Sequence, residues 1–314
     1  MKWIKAERGA VESFETSQNA IFISNRLASE LTTQKKLIFG TKEMTITVIA
    51  LSSIPESSGN QFNNPAIIQF SQDVFDQLLI QTSPTYQLQY TETTISIGPV
   101  IGFLLGDQHY YYHHCRLREL TDAMGIYEKV GGLFLAFRYC SISWEEKCIF
   151  GQYFNYDTKR WEYGKLPLPS VVYRRGFNTR NNFVNEYKDE FNWKVFNDIR
   201  FDKWEFYSHL KTNEYLYPFL PETALLNLAS LLTFLNRYTK VILKPKKLSR
   251  GRGISIITLK PHGTLVIHDY RRYNDFTISR SQLEDYLQEG KYLKSEYIIQ
   301  PFLNLPESKA DHGI

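Results

Sequence analysis

The stretch 241–259 concentrates positive charge between two short apolar segments. Gly251 and Gly253 lie in this stretch, and glycine lets a backbone approach a ligand closely and turn its N–H groups toward an anion. The flanking segments 241–243 and 254–259 have the Ile/Val-rich composition of strands. The stretch therefore predicts a β-hairpin whose basic loop, residues 245–253, binds an anion with several oxygens. Five basic residues fall within nine positions here: Lys244, Lys246, Lys247, Arg250 and Arg252.

The basic loop differs from the familiar phosphate-binding loops. A P-loop has the pattern Gly-x-x-x-x-Gly-Lys-Ser/Thr and opens a helix, whereas this loop leads into a strand. A dinucleotide-binding fingerprint does not fit either, because Ser255 already lies within that strand. A hairpin with an ordinary solvated basic turn is the alternative to an anion site.

The composition of the whole chain indicates a folded protein. Its 314 residues, 43% hydrophobic and 15% aromatic, are enough material for two or three domains. The net charge of +4 is compatible with an anionic ligand but too small to indicate a nucleic-acid-binding protein. The N-terminus lacks the apolar core of a signal peptide, and no apolar window approaches the roughly 20 residues that span a bilayer. We expect a soluble protein that binds no nucleic acid and has no membrane span.

The cysteines indicate a reducing compartment. Cys115, Cys140 and Cys148 are an odd set without a CxxC pair, so we expect no disulfide framework and a cytoplasmic location. His113 and His114 precede the first cysteine, but adjacent histidines do not easily reach one metal ion from regular structure. The sequence therefore predicts no metal site at these residues.

The order of the predicted elements indicates a mixed α/β (α+β) protein in three parts. Residues 106–176 resemble a small α/β unit in which helix and strands alternate. Residues 177–314 contain the hairpin and a strand at 296–303. Residues 1–105 form a β-rich module with short strands at 20–23, 44–51, 66–70, 86–90 and 94–104.

Capping residues predict where the helices of the third part begin. A helix is expected to start near residue 185, after an Asn-rich connector. Thr223 is the candidate N-cap of a helix at 224–236, and Ser279 is the candidate N-cap of a later helix. Glu222 is expected to interact with the helix N-terminus that follows it.

Several short motifs now occur in a definite order along most of the chain. Together they resemble the YheC/YheD family of endospore coat-associated proteins, which carry an ATP-grasp domain behind a β-rich N-terminal region. No single motif is very specific, and the resemblance rests on their order and spacing. The motifs are Gly98-Pro-Val-Ile-Gly102, Phe201-Asp-Lys-Trp204, Leu220-Pro-Glu-Thr223, Leu243-Lys-Pro245 with Arg250-Gly-Arg-Gly-Ile254, and Tyr297-Ile-Ile-Gln-Pro301.

The resemblance implies a nucleotide site. Lys203 and Lys244 are similar to the two lysines that hold ATP phosphates in ATP-grasp proteins, and a cation in a dry cleft binds phosphate strongly. Gln300 and Phe302 flank the position of the hinge whose backbone groups contact adenine. The flexible loop that closes over the phosphates would be formed by Ser249, Arg250, Gly251, Arg252 and Gly253.

Two further arginines lie where the family resemblance implies a site for the acceptor substrate. Arg174 and Arg175 follow a predicted strand at a place where related proteins often meet their acceptor. Adjacent guanidinium groups there would receive a carboxylate. An exposed basic corner without a ligand is the alternative.

The resemblance also implies Mg²⁺, and here the chain departs from the family pattern. Family members continue past the hinge into an Asp-x-Arg strand and a later acidic/Asn pair that hold the metal between the phosphates. Downstream of the hinge this chain has only Glu307 and Asp311 as carboxylates, without the spacing of a two-metal site. We therefore expect an ATP-grasp domain that is incomplete at its C-terminus, through truncation or degeneration.

Two functions follow as expectations. The first is an ATP-grasp protein resembling ATP-dependent carboxylate–amine/thiol ligases that act through an acyl phosphate, located in the mother-cell cytoplasm or at the spore coat and impaired in the form given. The second is a structural spore-coat protein whose nucleotide-binding fold is a relic. A nucleic-acid binder built on the hairpin is a third possibility, disfavoured because no stacking platform accompanies the basic residues.

The expected lack of metal ligands makes a testable prediction. This 314-residue chain should bind nucleotide weakly and turn it over negligibly, because Mg²⁺ at nucleotide sites usually takes one or two protein carboxylates. A phosphate-release assay with amino-acid and peptide acceptors measures the turnover. Robust Mg²⁺-dependent turnover that Lys244→Ala abolishes would contradict the expectation.

Overall fold

The computed structural model describes most of the chain. The chain divides into two compact units, Met1–Ile199 and Arg200–Ile314. The connector and helix predicted near residue 185 lie outside the described residues, and the predicted three-part division stays a prediction. The mixed α+β class is confirmed. The described residues are 1–9, 19–31, 34–106, 112–125, 127–175, 194–197, 199, 201–270, 274–290, 292 and 296–304.

A closed barrel fills the first part of unit 1. Its strands hydrogen-bond in the order β1-β5-β2-β4-β3-β7-β6, and β6 pairs with β1 to close the ring. Alternate side chains point inward, where residues such as Ile4, Phe39 and Tyr86 are fully buried. The strands are β1 (Lys2–Arg8), β2 (Ala20–Ile23), β3 (Gln34–Phe39), β4 (Lys42–Ala50), β5 (Ala66–Phe70), β6 (Thr85–Tyr90) and β7 (Thr94–Gly98).

The barrel corrects the predicted strands in two places. β1 and β3 were missed because both carry several charged residues that hide the apolar alternation. The predicted strand 94–104 is two strands, β7 and β8 (Val100–Leu104), which belong to different sheets. They part at the cis Gly98–Pro99 bond, where proline has no N–H to continue the ladder.

A second sheet completes unit 1. Its order is β10-β11-β9-β8-β13-β14, with β12 paired to β11 outside this path. Leu133, Leu135 and Phe137 of its central strand are fully buried in the same core as the barrel residues. The further strands are β9 (Leu133–Phe137), β10 (Ile142–Ser143), β11 (Cys148–Asn155), β12 (Arg160–Pro167), β13 (Val171–Arg174) and β14 (Lys194–Phe196), and the helices of unit 1 are α1 (Asn25–Ala28), α2 (Gln72–Leu78), α3 (His114–Ala123) and α4 (Tyr127–Val130).

Unit 2 is built on an antiparallel sheet in the order β15-β20-β16-β17-β18-β19. One face of this sheet packs on two helices to form a separate core that includes Leu235, Val241 and Leu287. The strands are β15 (Ala224–Leu225), β16 (Lys240–Pro245), β17 (Ser255–Leu259), β18 (Thr264–Asp269), β19 (Asn274–Ser279) and β20 (Tyr297–Pro301), and the helices are α5 (Lys203–Leu210), α6 (Leu228–Tyr238) and α7 (Leu283–Glu289).

The predicted hairpin is confirmed, since β16 and β17 pair antiparallel on either side of the basic loop. The predicted helix at 224–236 is wrong at its start. Residues Ala224–Leu225 pair with β20 instead, and α6 begins at Leu228 behind Asn227, whose Oδ1 accepts a bond from the N–H of Ser230 at 2.7 Å. Asn227 is therefore the N-cap that was predicted at Thr223.

Two other predictions concern helix ends, at Glu222 and at Ser279, and only the second agrees with the structure. The carboxylate of Glu222 accepts hydrogen bonds from Arg237, at 2.8 Å, and from the hydroxyl of Tyr238, so it lies near the last turn of α6 and not near its first. Ser279 does start a helical segment, and its N–H donates to Gln282 at 2.9 Å. That segment is a 3-10 turn, Arg280–Gln282, which leads into α7.

No helix within the described ranges has both the length and the apolar character that a membrane crossing demands.

The two faces of β16 differ in burial, so shortening the side chains of neighbouring residues should cost different amounts of stability. Leu243 is fully buried in the helix-covered core, whereas Ile242 is only half-buried on the other face. Leu243→Ala should lower the free energy of opening of β16 by about 2–5 kcal/mol through lost burial and a cavity. Hydrogen exchange of amides 240–245 in the full chain measures this. Ile242→Ala is the matched control with a smaller loss, and equal losses would contradict the assignment of faces.

Candidate nucleotide site

Strand β16 presents alternate side chains to two environments. Val241 and Leu243 are fully buried in the core, while Ile242 and Lys244 are half-buried on the opposite face. Strand β20 lies beside it in antiparallel register, with Gln300 opposite Ile242. The pairing therefore brings the lysine of one predicted motif next to the glutamine of another.

A cavity of about 680 Å³ opens on this face of the sheet. Its size falls in the range of small-molecule and cofactor sites. The structure thus brings together Lys244, Gln300 and Phe302, three of the residues predicted to bind nucleotide. The described lining residues include Pro221, Ile242, Lys244, Gln300, Phe302 and Leu303.

A chain of hydrogen bonds fixes the ammonium group of Lys244. Its Nζ donates to Oε1 of Gln300 at 2.9 Å, and Nε2 of Gln300 donates to Oγ1 of Thr223 at 2.8 Å. The Thr223 hydroxyl in turn donates to the carbonyl of Pro221 at 2.9 Å. Because an ammonium only donates, the amide orientation of Gln300 is determined by this chain. Thr223 was predicted as a helix cap, and its actual role in the site was missed.

Burial lowers the pKa of Lys244, since removal from water disfavours the charged ammonium. Among the described residues, no carboxylate forms an ion pair with it. A neutral amide oxygen compensates the charge only in part. An anionic ligand in the cavity would supply the missing charge and reverse the shift of the pKa.

Phe302 forms the rim of the cavity next to Lys240. The Lys240 ammonium lies 3.9 Å from the centroid of the Phe302 ring, within the range of a cation–π contact. The N–H of Phe302 also donates to the carbonyl of Lys240 at 3.0 Å. Backbone pairing therefore extends beyond the last residue of β20 and holds the ring in place.

The basic loop has a fixed root and an exposed tip. We define the loop root as residues 245–248 and the loop tip as residues 249–253. At the root, Nζ of Lys246 lies 3.4 Å from carboxylate oxygens of both Asp202 and Glu296. Ser249, the first residue of the tip, is exposed, and its carbonyl accepts bonds from the N–H and Nε of Arg252, each at 3.3 Å.

Positive φ angles shape the loop tip. Arg250, Gly251 and Gly253 have φ of 57°, 71° and 75°. A side chain at Gly253 would also crowd Pro245 and Leu248, whereas one at Gly251 would meet nothing within 4 Å. Backbone conformation therefore favours glycine at both positions, although Arg250 adopts a similar φ, and at Gly253 limited space favours glycine as well. The roles predicted for these tip residues in nucleotide binding stay predictions.

Lys203 lies at the loop root, outside the set of described residues that line the cavity. It is the first residue of α5, and its Nζ donates to the carbonyls of Pro245 at 2.8 Å and Lys246 at 3.5 Å, and also to that of Leu248. The structure thus brings Lys203 to the hairpin that carries Lys244 and gives it protein acceptors there.

Arg174 and Arg175 belong to unit 1 and differ from each other. Arg174 is buried at the end of β13, and Asn197 donates to its carbonyl at 3.0 Å. Arg175 lies at the surface, where a guanidinium nitrogen is 3.6 Å from Glu119. Their predicted role as a carboxylate site stays a prediction.

No cluster of three or more His, Cys, Asp or Glu side chains occurs in the described part of the chain that would hold a metal ion. The side chains of His114 and Cys115 lie outside the described set, as do Glu307 and Asp311. We therefore assign no residue to Mg²⁺.

In the antiparallel sheet of unit 2, a lysine lies near the end of β16, a basic glycine-containing loop follows it, and β20 lies beside it. This arrangement is consistent with an ATP-grasp domain. Residues 192–312 match the family model described as YheC/D-like ATP-grasp, in agreement with this arrangement. This match supports the resemblance to the YheC/YheD ATP-grasp family that the motifs predicted.

Two curated relatives extend the similarity beyond this domain. The chain is 26% identical over 310 residues to the endospore coat-associated protein YheD of Bacillus subtilis, covering 93% of this chain and 64% of that protein. It is 24% identical over 219 residues to the endospore coat-associated protein YheC of the same organism, covering 67% and 58%. The chain spans about three fifths of the length of these relatives.

Solved structures of two ligases show only a distant likeness. D-alanyl-alanine synthetase A from Vibrio cholerae aligns with a TM-score of 0.33 and 8% identity, covering 65% of this chain and 59% of that one. The ATP-grasp ligase PsnB, in complex with a minimal precursor, aligns with a TM-score of 0.31 and 12% identity, covering 66% and 65%. Both alignments are too loose to transfer residues or substrates to this chain.

The contact between Gln300 and Lys244 makes a prediction about charge. Gln300→Glu places a carboxylate against the ammonium, which should raise the pKa of Lys244 because an opposite charge favours the charged form. Titration of the isotopically labelled ε-methylene groups of lysine by NMR measures this pKa. Gln288→Glu, at an exposed position of α7, adds the same charge elsewhere and should leave it unchanged. An unaltered pKa in Gln300→Glu would show that the two groups are not in contact.

Proposed function

We propose that unit 2 binds ATP on the face of the sheet formed by β16 and β20. The observation that carries this proposal is the ammonium of Lys244, which is half-buried at a cavity of nucleotide size and has a neutral amide as its side-chain partner. A polyanion is the kind of ligand that stabilises such a group.

The described residues fit the parts of the nucleotide. Phe302 and the end of β20 offer an apolar ring and backbone groups for the base, and Lys244 offers its charge to the phosphates. The loop tip, with Arg250 and Arg252 exposed, would cover the phosphates and exclude water. Lys203 contacts the root of this loop, and its predicted contact with the phosphates stays part of the proposal.

The reaction we propose is ligation of a carboxylate to an amine or thiol. The carboxylate oxygen attacks the γ-phosphorus and ADP leaves, which gives an acyl phosphate; the amine or thiol then attacks the carbonyl carbon, loses its proton and releases phosphate. Mg²⁺ normally screens the phosphate charge in such reactions. This chain's own contribution is to position the phosphates against Lys244 and to keep water out.

The setting we propose is the endospore coat, with the protein made in the mother-cell cytoplasm. Support comes from the names of its two relatives, which are endospore coat-associated proteins. The substrates and partners of the longer proteins are part of this proposal and do not follow from the fold.

A second candidate is a scaffold that binds spore-coat proteins. The observation that favours it is a group of exposed aromatic side chains in unit 2, with Phe206, Tyr215 and Phe219 respectively 54%, 86% and 84% exposed. Aromatic residues are enriched in protein interfaces. The two candidates differ at Lys244, because a scaffold needs no ammonium group in the cavity.

The proposal predicts an affinity for ATP that depends on pH. The pKa of Lys244 is lowered in the free chain and should rise when phosphate binds, so the complex holds its proton more tightly. The affinity for ATP should therefore be full at neutral pH. It should fall as pH increases, and this fall should begin at a lower pH than the range in which ordinary lysines titrate. Lys244→Met should weaken binding by about 1.5–3 kcal/mol and remove this fall.

Titration with a fluorescent ATP analogue between about pH 7 and about pH 10 measures both effects. Lys260→Met, at an exposed position beyond β17, is the control and should behave as the unaltered chain. Equal affinity and an equal pH dependence in Lys244→Met would exclude Lys244 from the site and would favour the scaffold.

A further inference from the structure

A second cavity, of about 390 Å³, lies within unit 1 and shares no described lining residue with the cavity of unit 2. Its volume is in the lower part of the range of small-molecule sites. The end of α3, the helix α4 and the turn between β11 and β12 surround it. We call it the aromatic pocket and define it by Met124, Tyr127, Phe154, Tyr156 and Lys159. None of these residues has a role in the site proposed above.

The walls of the aromatic pocket belong to the hydrophobic core of unit 1. Met124 and Phe154 are buried members of that core, and Tyr127 and Tyr156 pack against it. The rings of Tyr127 and Tyr156 stack, with centroids 3.6 Å apart and planes at 14°. The N–H of Thr85 donates to the Tyr127 hydroxyl at 3.0 Å, which anchors the stack. The walls are therefore preformed, and a ligand need not order them.

The arrangement of the rings suits a flat ligand. The planes of Phe154 and Tyr156 meet at 82°, with centroids 4.9 Å apart. A ring that stacks on one of them meets the other edge-to-face, and both arrangements are favourable for aromatic pairs. Met124 adds a thioether, which also makes favourable contacts with aromatic rings. The walls thus favour an aromatic ring over an aliphatic chain.

The rim of the pocket carries an excess of positive charge. Lys129 and Lys159 are exposed there beside one carboxylate, that of Glu128. Neither lysine forms an ion pair with a carboxylate of the described residues. The Lys159 ammonium lies 6.0 Å from the centroid of the Tyr156 ring. Charge complementarity therefore favours an anion and disfavours the ammonium ligands that aromatic cages bind.

The groups next to the rim do not cancel this charge. Burial raises the pKa of Tyr127 and that of Tyr156, so both hydroxyls stay neutral at neutral pH. Asp157, in the same turn as Lys159, lies 3.7 Å from the ammonium of Lys5 and pairs with it. Within the described residues, the positive charge of the rim is thus open to a ligand anion.

We propose that the aromatic pocket binds an aromatic carboxylate, whose ring lies against Met124, Phe154 and Tyr156 and whose carboxylate is bound by Lys129 and Lys159. The ring is removed from water while the charge stays at the solvent-exposed rim, so no charged group is buried without a partner. This site goes beyond the proposed ATP site and does not depend on it, because the two share no residue.

NMR of the full chain labelled at its methionine methyl groups tests the proposal, with 2-naphthoate as the probe. The chain has three methionines, and only Met124 lines the pocket, so Met1 and Met44 are internal controls. The ring current of the bound probe should shift the Met124 signal in a saturable way. The neutral isostere 2-naphthamide should bind at least about tenfold more weakly, because it lacks the charge-assisted contact. Cyclohexanecarboxylate, measured by competition, should bind about fivefold more weakly because it lacks aromatic faces.

Exposed rim residues supply the variants. Lys159→Met should weaken the binding of 2-naphthoate by about fivefold and leave that of 2-naphthamide within about twofold. Lys147→Met is the matched control, since Lys147 is also exposed in a turn with positive φ, 50° against 57° for Lys159, and it should leave both affinities unchanged. Glu128→Gln should strengthen the binding of 2-naphthoate by about twofold, because it removes a like charge.

Three results would overturn the proposal. A Met124 signal that does not move at millimolar 2-naphthoate would show that the pocket takes no aromatic acid. Equal affinity for 2-naphthoate and 2-naphthamide would make it an apolar pocket without a carboxylate site. Equal weakening in Lys147→Met and Lys159→Met would reduce the effect to the overall charge of the chain.

Discussion

The nucleotide site proposed in unit 2 depends on a lysine ammonium group that is partly removed from water. Burial disfavours the charged form of Lys244, and the protein offers it the amide oxygen of Gln300 in place of a carboxylate. A carboxylate would stabilise the charge but would also repel phosphate, so a neutral partner suits an anion site. The alternation of β16 makes this possible, because Val241 and Leu243 anchor the strand in the core while Lys244 faces the cavity.

The basic loop also combines a fixed part with a part that can move. Its root is held by the Asp202, Lys246 and Glu296 charges and by Lys203, so side-chain contacts anchor the start of the loop. Its tip has positive φ angles and exposed side chains, which allow it to rearrange around a ligand. A site that must admit a nucleotide and then exclude water needs both properties.

The sequence predicted the parts of this site that depend on local pattern. The hairpin follows from apolar strands around Gly251 and Gly253, and the order of the motifs indicated that Lys244 and Gln300 belong to one site. The pairing of β16 with β20 itself was not predicted. It did not predict the role of Thr223, because a threonine before a helix has the same local pattern whether it caps that helix or contacts a distant glutamine. Strand β19 was missed for a related reason, since its outward residues are polar and only its contacts with β18 identify it.

We propose that a nucleotide occupies the face of the sheet between Lys244 and Phe302. A crystal structure of the chain with a non-hydrolysable ATP analogue would show where the nucleotide lies. We expect the base beside the Gln300–Phe302 backbone and the phosphates within hydrogen-bond distance of the Lys244 ammonium, at roughly 2.7–3.2 Å. Phosphates bound elsewhere, or an empty cavity at saturating analogue, would contradict it.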